Sequence, residues 1–249
     1  MRYFIELSYN GKAYHGWQNQ PNAISIQQVV EKALAVMLKE QIAIIAAGRT
    51  DAGVHAKQMF AHFDTIHNLN KSNLQYKLNA ILPKDIAVHH IFKVKEEAHA
   101  RFDALSREYL YKISLKKNVF TFEETYYLKL NLNVDKMNEA AKILFQYKDF
   151  QCFSKSNTDV KTYHCNIMKA EWIKENNELQ FIIKADRFLR NMVRAIVGTM
   201  INIGLGKIDI EDLHSIIKSK NRSNAGFSVP AHALFLTKIE YPDDLKLND

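Results

Sequence analysis

The chain has 249 residues, enough for one large domain or two of about 100–150. Hydrophobic residues make up 47%, so a sizeable core can form, and 34 Lys and Arg against 27 Asp and Glu leave a net charge of +7. That excess suits a nucleic-acid partner without demanding one. The two cysteines, Cys152 and Cys165, show no CxxC or Cys/His spacing for zinc and read as reduced thiols of a cytosolic protein. The first seven residues are strand-like and carry Glu6, unlike a secretory leader. The most apolar stretch, 192–206, is interrupted by Arg194 and falls short of the ~20 residues of a membrane span. The expectation is a soluble, cytoplasmic protein with no membrane partner.

Residues 2–9 alternate, with Tyr3, Ile5, Leu7 and Tyr9 on one face of a strand. Asn10-Gly11 breaks it. Residues 14–21 form a polar loop with two large aromatics, Tyr14 and Trp17, whose commoner use is a hydrophobic plug. Ser25 opens a helix with Gln28 as its capping-box partner, and Ile26, Val29, Val30, Ala33, Leu34 and Met37 follow at helical spacing. An apolar run of strand length, 42–47, leads into Gly48-Arg49-Thr50-Asp51-Ala52-Gly53-Val54-His55-Ala56. This nonapeptide is too polar and too Gly-punctuated to be an element interior. A strand at 59–65, a helix from Ser72 to Leu82-Pro83 and a strand at 86–94 complete the first hundred residues.

The second part runs the same way. Strand 107–115 places Tyr109, Tyr111, Ile113 and Leu115 on one face. A helix at 134–147, strands at 163–174 and 178–185 joined by Asn176-Asn177, a helix at 187–203, a shorter helix with Leu213, Ile216 and Ile217, and a strand at 234–241 follow. Residues 243–249 read as a polar tail. The expected fold is α+β: two tandem ferredoxin-like β-α-β-β-α-β units, spanning 1–103 and 104–249. Their antiparallel sheets would join edge to edge, with helices on one side and a central cleft.

The nonapeptide presents one carboxylate, Asp51, with Arg49 two residues away, between glycines that permit unusual backbone angles. Its ordinary reading is a turn in which an Asp bonds its own backbone. Its chemical reading is a nucleophile, base or metal ligand. Only Asp64 is close in sequence, so a metal site is disfavoured. Alternating tyrosines such as Tyr109 and Tyr111 are usually half-buried packing. Arg187, Arg190 and Arg194 recur at i, i+3, i+7, which is either a solvated basic face or, at Arg194 inside an apolar run, a buried cation needing an anion. Lys12, Tyr14, His15, Trp17, Lys57, His99, Arg101, Arg107, Lys155 and Arg222 add basic and aromatic groups of the kind that contact phosphates, though most will be ordinary surface.

The nonapeptide resembles the signature of the tRNA pseudouridine synthase A (TruA) family. Gly16-Trp17-Gln18-Asn19-Gln20 is similar to that family's second signature, Arg107-Glu108-Tyr109-Leu110-Tyr111 to its Arg-x-Tyr-x-Tyr segment, and Met192-Val193-Arg194-Ala195-Ile196-Val197-Gly198 to its Met-Val-Arg-x-Ile-x-Gly element. His55 and His99-Ala100-Arg101-Phe102 also match family positions. The resemblance implies the pseudouridine synthase fold and isomerisation of uridine at positions 38, 39 and 40 of tRNA, without cofactor or metal. It implies Asp51 as nucleophile, Tyr109 stacking on the target base and a candidate to take its C5 proton, and Arg194 paired with Asp51. Arg49 engages RNA, with Lys57, Arg107, Arg187 and Arg190 as candidate substrate contacts. The family precedent is a homodimer. Ser228-Val229-Pro230-Ala231-His232-Ala233-Leu234 departs from the family's Ala-Pro-Ala-x-Gly-Leu-like ending, in lacking its late glycine. A non-catalytic module of two RRM-like units is the rival, but no Gly-Phe-Gly-Phe-like segment supports it. A metal-dependent nuclease lacks its carboxylate cluster.

Overall fold

In the computed structural model, which describes residues 1–155 and 160–247, strand β1 (Arg2–Tyr9) is the centre of a first unit. Its buried Tyr3, Ile5, Leu7 and Tyr9 give it a continuous core face. Around it the chain forms α1 (Ile26–Leu38), β2 (Ile45–Ala46), β3 (His55–Asp64), α2 (Lys71–Ile81) and β4 (Ile86–Val94). β1 pairs antiparallel with both β3 and β4, and β2 pairs with β3. This is the β4-β1-β3 order of a ferredoxin-like unit. α1 starts where its cap dictates: Ser25 Oγ accepts the Gln28 N–H at 3.1 Å. α2 is capped by Asn70, whose side chain accepts from Asn73, so it begins one residue before Ser72. The 42–47 run yields only the two-residue β2, in which Ile45 and Ala46 pair with His62 and Ala61.

The second unit holds β5 (Ser106–Ser114), β6 (Tyr126–Tyr127), α3 (Val134–Ile143), β7 (Ile167–Glu175), β8 (Glu178–Ala185), α4 (Met192–Gly204) and α5 (Asp212–Ser219). β8 lies between β5 and β7, antiparallel to each, and β6 runs parallel to β5. β6 has no counterpart in the sequence reading. Asn176 turns the β7–β8 hairpin at φ 52°. α3 ends at Ile143 and tightens into a 3-10 turn, Leu144–Gln146. The helix expected from Arg187 begins only at Met192, because Asn191 at φ 67° is incompatible with a continuous helix. Every residue of α4 except Arg194 and Asn202 is buried. Gly198 and Gly226 let the following loop lie on this helix: a Cβ at Gly198 would stand 1.8 Å from the Phe227 carbonyl oxygen.

The last strand, β9 (Leu234–Glu240), lies beside β3. The two units are therefore Met1–Leu105 with Leu236–Asp249, and Ser106–Phe235. The division at 103/104 kept the last strand with the second unit. Its contacts return it to the first: Ile239 N–H donates to Gln58 Oε1 at 2.9 Å, Leu105 N–H donates to the Glu240 carbonyl at 2.8 Å, and the Tyr241 ring stands edge-on to Phe4 and Phe60. The segment read as a polar tail also packs, through a 3-10 turn at Asp243–Leu245 that buries Leu245. Its last two residues lie outside the described ones. The fold is mixed α+β with mostly antiparallel pairing. Among the described residues no helix is long and apolar enough to cross a membrane.

Candidate active site

The loop between β2 and β3 carries Asp51, and it is fixed from beneath by main-chain bonds. Ala47 N–H donates to the Phe60 carbonyl at 2.8 Å where the loop begins. Thr50 is buried, its hydroxyl 2.8 Å from that of Tyr9, and its carbonyl accepts the Trp17 N–H at 3.1 Å. The Asp51 carbonyl accepts the Val54 N–H at 3.1 Å, closing a tight turn in which Gly53 takes φ 77°. Gly16, at φ 89°, lies so close that a Cβ there would sit 2.5 Å from the Thr50 carbonyl oxygen. The Gly11 N–H donates to His55 Nδ1 at 3.1 Å. The result is a half-exposed Asp51 standing on a buried floor of Thr50, Val54 and His55. Arg49 and Lys57 flank it in sequence and are exposed.

One detail differs from expectation. Gly53 uses a left-handed backbone, whereas Gly48 does not. Tyr14 and Trp17 are a plug, as their commoner use predicts: Trp17 is 1% exposed with its ring tilted 40° to that of Tyr9 at 6.0 Å, and the Tyr14 hydroxyl donates to Asp85 at 2.7 Å. Burial, with the Asp85 carboxylate beside it, pushes the Tyr14 pKa up.

In the second unit Tyr109 is half-buried in the middle of β5, opposite Ile183, with its ring edge-on to Phe188 at 5.1 Å. Tyr111, two residues on, is fully buried; its hydroxyl donates to the Pro230 carbonyl at 3.0 Å, and desolvation raises its pKa. The two tyrosines thus have different jobs: one is core, the other has an accessible ring.

Arg194 is the half-buried exception on the otherwise buried first turn of α4. Its Nε donates to the Val229 carbonyl at 2.7 Å, and Val229 N–H donates back to the Arg194 carbonyl. The loop bearing Val229 is held in turn by Arg222, which donates to the carbonyls of Ala225 and Gly226 and to Ser228 Oγ. Asn191 also donates to Ser228 Oγ, at 2.7 Å. The segment that departs from the family's usual ending is therefore the one that fixes Arg194. Arg222, read as surface cation, uses its guanidinium on the protein. No periodicity or motif marks that role, because its partners are mostly main-chain carbonyls.

Arg187 and Arg190 lie before α4, so the three arginines do not form one helical stripe. Arg107 and Arg187 meet at Asp186: Arg107 donates to its carbonyl at 2.7 Å, and the Arg187 N–H to its carboxylate at 2.7 Å. Arg190 is exposed.

The fold is α+β with a ferredoxin-like first unit, and comparison with known proteins gives its family. Residues 7–103 and 140–242 match the model of the tRNA pseudouridine synthase family, and the chain belongs to that family. Asp51 and Arg194 fall inside the matched stretches and Tyr109 between them. The chain is 54% identical over 242 residues to the tRNA pseudouridine synthase A of Azobacteroides pseudotrichonymphae, covering 97% of each chain. It is 52% identical over 245 residues to that of Parabacteroides distasonis, covering 98% of this chain and 97% of the relative. To that of Bacillus subtilis it is 38% identical over 245 residues, covering 97% and 99%.

Proposed function

We propose that this protein isomerises uridine to pseudouridine in tRNA, at positions 38, 39 and 40 of the anticodon arm, with Asp51 as nucleophile. The observation that carries this reading is the Asp51 turn: a family-typical loop whose main chain is fixed while its one carboxylate remains half-exposed. The reaction breaks the N1–C1′ bond, turns the uracil and forms C5–C1′. A proton leaves C5 and one is gained at N1, so mass is unchanged. Attack of the Asp51 carboxylate at C1′ of the ribose or at C6 of the uracil opens either route. The target nucleotide has to leave the stack to reach it.

Tyr109 supplies the stacking ring, and its side-chain oxygen takes the C5 proton as its own hydroxyl proton is passed on, so that the net transfer is the loss at C5 and the gain at N1. Arg194 pairs with Asp51; support comes from Val229, which holds Arg194 by Nε on a helix whose neighbouring residues are buried. Arg49, Lys57, Arg107, Arg187 and Arg190 serve the RNA. The working form is a cytoplasmic homodimer, as the family resemblance implies, and light scattering reads its mass. The test of function is incubation with tRNA in EDTA. Product of unchanged mass that keeps a carbodiimide adduct, as pseudouridine does, supports the reading; tRNA bound and returned as uridine overturns it.

A further inference from the structure

Phe102 is 74% exposed, yet the turn that carries it is bonded at every step. Arg2 donates to the Ala98 carbonyl at 2.9 Å. His99 N–H donates to the Asp103 carboxylate at 2.7 Å, and Asp103 N–H returns to the His99 carbonyl at 3.1 Å. Ala100 N–H donates to His62 Nδ1 at 3.1 Å, and the Tyr241 hydroxyl donates to the Ala100 carbonyl. The N–H groups of Arg101 and Phe102 both point at His99 Nδ1, at 3.1 and 3.3 Å.

This bonding sets the His99 ring as a stiff backing 4.2 Å from the Phe102 ring and 33° from parallel to it. His99 itself stands edge-on to buried His62 at 4.7 Å. The Arg101 guanidinium lies 5.8 Å from the Phe102 centroid. A large apolar ring is thus held out in solvent, supported from one side, with a cation beside it. Every nucleobase has a π face, so such a ring takes an unpaired base irrespective of sequence, while the cation and the chain's +7 charge favour a polyanion.

We propose that Phe102 is a stacking platform for an unpaired base of the RNA substrate, distinct from the nucleotide that Asp51 attacks. The proposal rests on the reading of tRNA as substrate. The platform stands at the Arg2 end of β1, where Arg2 faces Asp64 of β3; the Asp51 loop enters β3 at its other end, His55. The seven steps from His55 to His62 along β3 span about 23 Å at about 3.3 Å per residue. Asp51 and Phe102 would therefore grip the RNA at two separated points on one unit.

The test is tRNA affinity with full-length protein. Phe102→Ala should weaken binding about 5- to 150-fold, the range for losing one base–aromatic stack. Phe102→Trp should bind as well as the native protein, and Phe102→Leu, apolar but not aromatic, should behave like Ala. The dependence of affinity on salt should not change, since no charge is removed, and the single-turnover rate at saturating enzyme should stay native. Native affinity in Phe102→Ala or Phe102→Leu would overturn the platform, as would an altered oligomeric mass with unaltered tRNA affinity. If the native protein itself binds no tRNA, the functional reading fails instead.

Discussion

Asp51 separates two tasks between its main chain and its side chain. The main-chain carbonyl closes the turn with the Val54 N–H, and that bond survives any side-chain change. Asp51→Asn should therefore leave the loop folded, tRNA affinity native and turnover abolished, because an amide is neither charged nor a competent nucleophile. Tritium release from 5-tritiated uridine in tRNA reads this directly; substantial release by the variant would remove Asp51 from the role. Loss of the proposed anion also leaves half-buried Arg194 uncompensated, lowering stability by no more than about 3 kcal/mol, the low end for breaking a buried pair. At Tyr109 the ring and the hydroxyl can be separated. Tyr109→Phe keeps the edge-on contact with Phe188 and the stacking surface. It should retain tRNA affinity and lose about 10²–10⁴ in single-turnover rate, the usual worth of a proton-transferring group. A near-native rate would reduce Tyr109 to a stacking ring.

Among the elements, α4 depends most on a contact that side-chain patterns do not reveal. Gly198→Ala would drive a methyl into the Phe227 carbonyl at 1.8 Å, and main chain has to move to relieve it. We expect a loss of at least 1–3 kcal/mol, typical of overpacking, together with a slower chemical step as Val229 shifts away from Arg194. Thermal unfolding and single-turnover assays read the two effects. Gly48→Ala is the contrast: nothing lies within 4 Å and its backbone is not left-handed, so stability should be native. Sequence patterns anticipated the elements whose burial is periodic. β1, α1, β4 and β8 fall where alternation or a capping serine placed them. Elements defined by partners distant in sequence were not legible: β2 is cut to two residues by what pairs with it, β6 exists only alongside β5, and α4 starts late because Asn191 turns left-handed. The same holds within the site. The Asp51 loop could be read because its residues are contiguous, whereas the Arg222–Ser228–Asn191 support is assembled from three separate segments.

The molecule as a whole should carry a histidine signature in its acid stability. His62 is buried, accepts the Ala100 N–H and faces the charge of Arg2; burial first, then that charge, pull its pKa from 6.5 to about 4. The folded state then binds fewer protons than the unfolded one between these values. Stability is full above pH 6.5, falls as pH drops towards 4 and levels off below, a loss of up to about 3 kcal/mol from this group. His99, lowered by burial, acts in the same direction. Denaturant titrations across this window should show the slope, and His62→Gln should flatten it. The order of the chain was a poor guide at this scale, since a strand's position in sequence says nothing about which sheet edge it completes. That return of Leu236–Asp249 to the Met1–Leu105 unit also orders events during synthesis. The Asp51 loop leaves the ribosome early, but the strand that completes its unit emerges only after all of Ser106–Phe235 has been made. At roughly 5–20 residues per second the half-built unit waits on the order of ten seconds. Throughout that interval β3 has an open edge, the hydrogen-bonding groups that β9 will later cover, and a nascent chain is then most exposed to pairing with the wrong strand.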